Sequence, residues 1–184
     1  GGTIDLGEVT IVSATNVTAD AAFNAEQIDQ TAGTGLTTFT GAVQTLGTTA
    51  ADGLDLNGTA FTFSNTVNTG TAGAVTITNT GLLTLAAAAD MTLGGAFTQD
   101  GAGAVSTAGD ITTTDDNINF QGAVTLSAGP VALDTGAGAG TITFQSTLDG
   151  TTDHTENLSL TAGTGNIDFD GIVGGTIDLG EGTI

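Results

Sequence analysis

One seven-residue unit returns along the chain and limits what the chain can fold into. It reads I-N-F-Q-G-A-V at residues 118–124. Copies stand at residues 61–67 (F-T-F-S-N-T-V), 142–148 (I-T-F-Q-S-T-L) and 167–173 (I-D-F-D-G-I-V), with a weaker one at 37–43 (T-T-F-T-G-A-V). Each sets a Phe inward, a small residue two places later and an aliphatic residue four places later. Period-two alternation is the pattern of a strand with one buried side, and recurrence at a near-fixed interval is the pattern of stacked coils.

The intervals sharpen this. Phe39 to Phe63 is 24 residues, Phe97 to Phe120 is 23, Phe120 to Phe144 is 24 and Phe144 to Phe169 is 25. Phe63 to Phe97 is 34, which reads as one step plus an insertion. A period in the twenties is too short for a globular domain and suits one coil of a solenoid. The expected fold is therefore all-β, a parallel β-helix (β-solenoid) of about seven coils of roughly 25 residues, with the Phe rings in one internal column. In residues 1–11, Ile4/Leu6 and Val9/Ile11 are expected to face inward with Asp5 outward. Residues 19–30 (A-D-A-A-F-N-A-E-Q-I-D-Q) are the one helix candidate, read as a decorated coil or a single helical turn.

A longer repeat overlies the short one. Residues 1–11 read G-G-T-I-D-L-G-E-V-T-I and residues 174–184 read G-G-T-I-D-L-G-E-G-T-I, a match at ten of eleven positions with an offset of 173. Residues 1–184 are thus expected to form a single solenoid segment. Residues 1–173 would be one tandem unit and residues 174–184 the start of the next. Further copies of itself, in tandem or end to end, are the expected partners.

Charge excludes several function classes. The chain has no Lys or Arg against 20 Asp and Glu, a formal net charge of −20. Nucleic-acid binding needs cations facing phosphates, and anionic membrane surfaces need the same; neither partner is expected. No apolar run approaches the length of a membrane-spanning helix, so no membrane insertion is expected. Without Cys there is no disulfide.

Candidate sites are few. Asp115/Asp116 and Asp168/Asp170 are close acidic pairs and the candidates for weak Ca²⁺ binding, with Ca²⁺ acting as a bridging counterion. Ca²⁺ takes six to eight oxygens, and neither an EF-hand loop nor a nonapeptide calcium repeat is present. The plainer reading is a solvated anionic face with diffuse cations, and no other cofactor is expected. Asp55 and Asp178 are expected to point outward with Asp168. His154, the single His, sits in a polar loop and belongs to no Ser–His–Asp constellation. With no Lys, Arg, Trp or Tyr, an enzyme is not expected. Sequons occur at Asn16, Asn57 and Asn157. Thr-x-Thr runs at Thr69/Thr71, Thr76/Thr78/Thr80 and Thr141/Thr143 do not recur once per coil, so they read as strand propensity rather than as a regular ice-binding plane.

Residues 109–174 resemble the β-strand repeats of very large bacterial surface proteins, the filamentous-haemagglutinin-like and autotransporter-type adhesins. The likeness is carried by I-N-F-Q-G-A-V-T-L (118–126), V-A-L-D-T-G-A-G-A-G-T-I-T-F (131–144) and L-S-L-T-A-G-T-G-N-I-D-F-D-G (158–171). It implies secretion, a long β-helical shaft and a role in adhesion or matrix building at the cell surface. The expected function is a structural segment of an extracellular fibre or adhesin shaft. The alternative is an adhesive or ice-binding module that presents a ligand-binding face.

Overall fold

A computed structural model describes residues 6–46 and 53–184. Ile4 and Asp5 lie outside the described residues. Every paired strand is parallel, and the described residues contain no helix. The chain winds as a β-solenoid of about eight turns, recurring about every 22 residues. Coil length varies, which is why the Phe intervals suggest fewer and longer coils. Val105 lies beside Val124 after only 19 residues, whereas Phe120 lies beside Phe144 after 24.

The cross-section has three faces, and the chain visits them in the order A, C, B. Face A stacks Leu54–Gly58, Val75–Asn79, Phe97–Gln99, Ile118–Phe120, Ile142–Phe144 and Ile167–Phe169. Face B stacks Val43–Thr45, Val67–Asn68, Met91–Thr92, Ile111–Thr112, Val131–Asp134, Leu158–Thr161 and Gly182–Thr183. Face C is a separate seven-stranded sheet running from Val17–Ala19 to Leu148–Asp149. The first three strands are β1 (Leu6–Ile11), β2 (Val17–Ala19) and β3 (Phe23–Gln30). β3 is long enough to turn the edge between two faces. Its residues 23–25 pair with Val43–Thr45 on face B and its residues 28–30 with 54–56 on face A. It therefore joins faces A and B into one sheet.

β3 overturns the helix candidate at residues 19–30. Phe23, Ala25, Ile28 and Gln30 are at least half buried, with the parity slipping at Glu26–Gln27 where the strand bends between faces. Short isolated helices are marginal in water. Here β1 on one side and the next coil on the other satisfy the backbone instead.

The seven-residue unit is a strand followed by a corner. From Phe120 the chain crosses Gln121–Ala123 and enters the next face at Val124; Phe63 to Val67 does the same at a different corner. The small residue in the corner answers to the coil beneath. A Cβ added at Gly122 would lie 2.0 Å from the Gly103 carbonyl oxygen, and one at Gly171 would lie 2.3 Å from the Ser146 carbonyl carbon.

The Phe rings form two stacks, not one column. Phe39 and Phe63 stack on face C with centroids 5.0 Å apart, and Phe23 leans on Phe39 at 6.1 Å. Phe120, Phe144 and Phe169 stack on face A at 5.4 Å intervals, with interplanar angles of 11° and 4°. The 34-residue step from Phe63 to Phe97 is a change of face, not an insertion. Between the stacks, the inward column of face A runs Gln30, Leu56, Ile77, Gln99 and Phe120. Gln99 is fully buried and fully used: its amide nitrogen reaches the Asn79 side chain (2.7 Å) and the Gly101 carbonyl (2.6 Å). Its oxygen accepts the N–H groups of Gln121 (3.0 Å) and Gly122 (2.8 Å). A buried amide is tolerated only with this degree of satisfaction.

Candidate functional site

The outer surfaces differ by face. Along face A the outward positions are Asp29, Asp55, Thr76, Thr98, Asn119, Thr143 and Asp168. Along face C they are Thr18, Thr38, Thr62, Thr84, Ser106 and Thr125, six hydroxyls in register on successive coils, before Asp149. Spaced by the strand interval, this file carries one hydroxyl about every 4.8 Å. Beside it, Leu36 lies in register with Ala60, and the carbonyls of Leu82, Ala104 and Ala123 accept the N–H groups of Phe61, Leu83 and Val105, the strand starts of the preceding coil, keeping the same level on each coil. No acidic residue occurs in the face C strands before Asp149. A chain of net charge −20 thus keeps the face C strands of six successive coils free of acids.

The hydroxyl file is the feature that the Thr-x-Thr runs failed to indicate. Those runs lie along single strands or across corners, and Thr69 is turned inward, where its hydroxyl donates to the Gly73 carbonyl at 2.5 Å. The file is built from single threonines, each flanked by two inward residues, such as Thr62 between Phe61 and Phe63. That pattern, tracked coil to coil, is the signal in the sequence that would have found it.

The acidic candidates occupy two separate places. Asp115 sits in a corner between faces B and A with φ of 62°, a left-handed conformation that Asp tolerates better than most residues. Its carboxylate accepts the Gly138 N–H of the next coil at 2.5 Å. The Asp116 carbonyl accepts the Thr113 hydroxyl at 2.5 Å. Asp168 faces outward on face A beside Thr143, as expected. Asp170 stands in the following corner, its N–H donated to the Phe144 carbonyl at 2.9 Å. Two coils, about 10 Å along the axis, separate Asp115/Asp116 from Asp168/Asp170. Among the described residues, no group of three or more His, Asp or Glu side chains is gathered as a metal site.

Two carboxylates have displaced proton affinities. Burial, then the charges of Asp29 and Asp100, pushes Asp55 above the usual carboxylate range. Glu156, 3% exposed, is held below that range, first by the Thr151 hydroxyl (2.7 Å) and then by the Thr152 N–H (3.1 Å). Glu156 ties the loop between Asp149 and Leu158 together, and nothing in its sequence setting singles it out from the other acids. His154 lies in the same loop, exposed, with Nε2 3.7 Å from Asp178. No hydrogen bond joins its ring to a Ser or Thr among the described residues. At the sequons, the Asn16 side chain accepts the Leu36 N–H (2.9 Å) and the Asn157 side chain accepts the Glu181 N–H (2.8 Å), so both asparagines serve contacts between coils.

The ends are apolar. At the last coil Leu148, Leu158, Leu160, Phe169, Val173 and Ile184 border an open cavity of about 220 Å³. At the first coil Val9, Ile11, Val17, Ala19 and Phe23 border another of about 420 Å³. Compared with family models, curated proteins and solved structures, the chain matches none.

Proposed function

We propose that the chain is a rigid structural segment of an extracellular or cell-surface fibre or adhesin shaft, and not an enzyme. One observation carries the reading: among the described residues the inward columns run from β1 to the last coil and end in apolar cavities on both sides. Ends of this kind favour docking against further copies of the same unit. The acidic outer positions supply a hydrated coat that keeps such rods apart, with cations, Ca²⁺ among them, as counterions. Chains of one, two and three 173-residue units, imaged as single particles, test it. Rod length is expected to rise by about 38 Å per unit, from eight turns at about 4.8 Å. Units that fold as separate beads on a flexible string sink the reading.

The uncharged hydroxyl file on face C favours a second reading, a surface that binds ice or another flat, hydrogen-bonding ligand. Its test is inhibition of ice recrystallisation by the chain, lost in Thr62→Asp and Thr84→Asp. An absence of inhibition by the unaltered chain removes ice as the ligand.

A further inference from the structure

The two ends share a sequence, and that duplication says how one end would receive the other. β1 is L-G-E-V-T-I, and residues 179–184 are L-G-E-G-T-I. β1 offers one edge to β3, with Leu6 beside Ala25, Glu8 beside Gln27 and Ile11 beside Gln30. Gly182–Thr183 use the opposite edge, pairing back onto Leu158–Ser159. The edge of residues 179–184 that corresponds to the β3-bearing edge of β1 has no strand partner among the described residues.

From this we infer that two copies of the chain join by strand exchange: residues 179–184 of one copy replace β1 on β3 of the next. The inference rests on the reading of the chain as a stackable shaft and adds the joint. The incoming segment carries the same side chains at five of six positions, and its strand part, Gly182–Thr183, corresponds to Val9–Thr10 of β1, which pair with Ile28 and Asp29. β1 is the strand most easily given up, because it is an edge strand with Leu6 exposed and Val9 and Ile11 only half buried. Edge elements open at the lowest free energy, and exchange of identical elements is a low-cost route to association.

The joint also fixes an orientation. β1 passes from face B at Leu6 to face A at Ile11, whereas Gly182–Thr183 lie on face B. The second copy therefore sets its face A over face B of the first, a rotation of one face in three about the shared axis. That rotation brings β2 of the second copy over Ile167–Phe169 of the first, roofing the exposed Phe169 ring with Val17 and Ala19.

A lock on β1 tests the exchange. The chain has no Cys, so Glu8→Cys with Gln27→Cys creates one disulfide, at partner positions whose Cα spacing in a parallel pair suits the bond. The full chain carrying both is followed by sedimentation, oxidised and reduced, with circular dichroism to establish that both forms keep their strands. Expected is end-to-end assembly when reduced and a monomer when oxidised, with restored assembly on adding reductant. In the otherwise unaltered chain, Gly182→Val, which completes the match to β1, should lower the concentration needed for assembly several-fold. Oxidised chains that assemble as readily as reduced ones overturn the exchange, yet leave the shaft reading intact because ends are then meeting with β1 in place. A reduced chain that stays monomeric at every concentration also overturns it, while rod growth in chains of two and three tandem units remains the separate test of the shaft.

Discussion

Phe144 and Phe169 are close to a controlled pair. Both follow an Ile and one outward residue, both end a face A strand, and their rings stack at 5.4 Å and 4°. Yet Phe144 is 1% exposed and Phe169 is 38% exposed. The difference owes nothing to their own segments. Phe144 has a coil on either side, and Phe169 has one only below. In a solenoid a residue is buried by the neighbouring turn, so stability is a sum over contacts between turns rather than a property of any one turn.

The largest test of that contrast is substitution within the stack. Phe144→Ala should cost roughly 3–5 kcal/mol, the usual range for an enclosed Phe. Phe169→Ala should cost less than half as much; urea unfolding of the two variants compares them. Equal losses would mean the last turn is as well covered as the middle. Next comes Gln99→Leu, which strands the buried Gly122 N–H and the Asn79 side-chain oxygen at roughly 1–3 kcal/mol each, while the Gln121 N–H keeps its bond to the residue 99 carbonyl. Gln30→Leu, nearer the first turn, removes one bond from Thr37 and one to Asn57, and should cost clearly less.

Acid should separate the end from the interior. Glu156 has its proton affinity lowered in the fold, so its stabilisation is present above its unfolded pKa and is lost as pH falls through its folded one. Asp55 is displaced upward, so its ionised form opposes folding. That penalty is relieved as pH falls through its folded pKa. Hydrogen exchange at falling pH should therefore show the Asp149–Leu158 loop opening first, while amides around Asp55 hold or gain protection. Loss of protection in the reverse order would break the contrast. The smallest effect is Asp55→Asn. Asp55 is largely solvated, so removing its charge should stabilise by about 0.5 kcal/mol or less at neutral pH. That gain should vanish in acid, where the unaltered residue is neutral too.

Much of this was legible in the amino acids, and the limits have a physical cause. Alternation around Ile118, Phe120 and Val124 announces strands, corners and parallel stacking. It does not announce which face a strand joins, because all three faces bury the same kinds of side chain. Corner length is no guide to face, because it varies at one and the same corner: Phe63 and Leu85 both leave face C for face B, yet the first arrives at Val67 and the second only at Met91. The pentapeptide T-A-G-T-G accordingly leads into face C at residues 31–35 and into face A at 161–165. The single Phe column and the insertion before Phe97 fail through this ambiguity, whereas the helix at 19–30 fails because neighbouring coils satisfy that backbone as a strand. Gln99 and Glu156 were hidden for another reason: many of their partners are main-chain groups, of Gly101 and Gly122 for Gln99 and of Thr152 for Glu156, brought close by corners and loops that residue types cannot reveal.

Face C has a consequence for how many rods can gather. Like charge opposes sideways approach wherever acids line the surface, and screening weakens that opposition only beyond about a Debye length. Faces B and C each bring one acid into their described strands, Asp134 and Asp149, against Asp29, Asp55 and Asp168 on face A. In the proposed fibre each rod would then have two low-charge flanks, enough to extend a row past a pair.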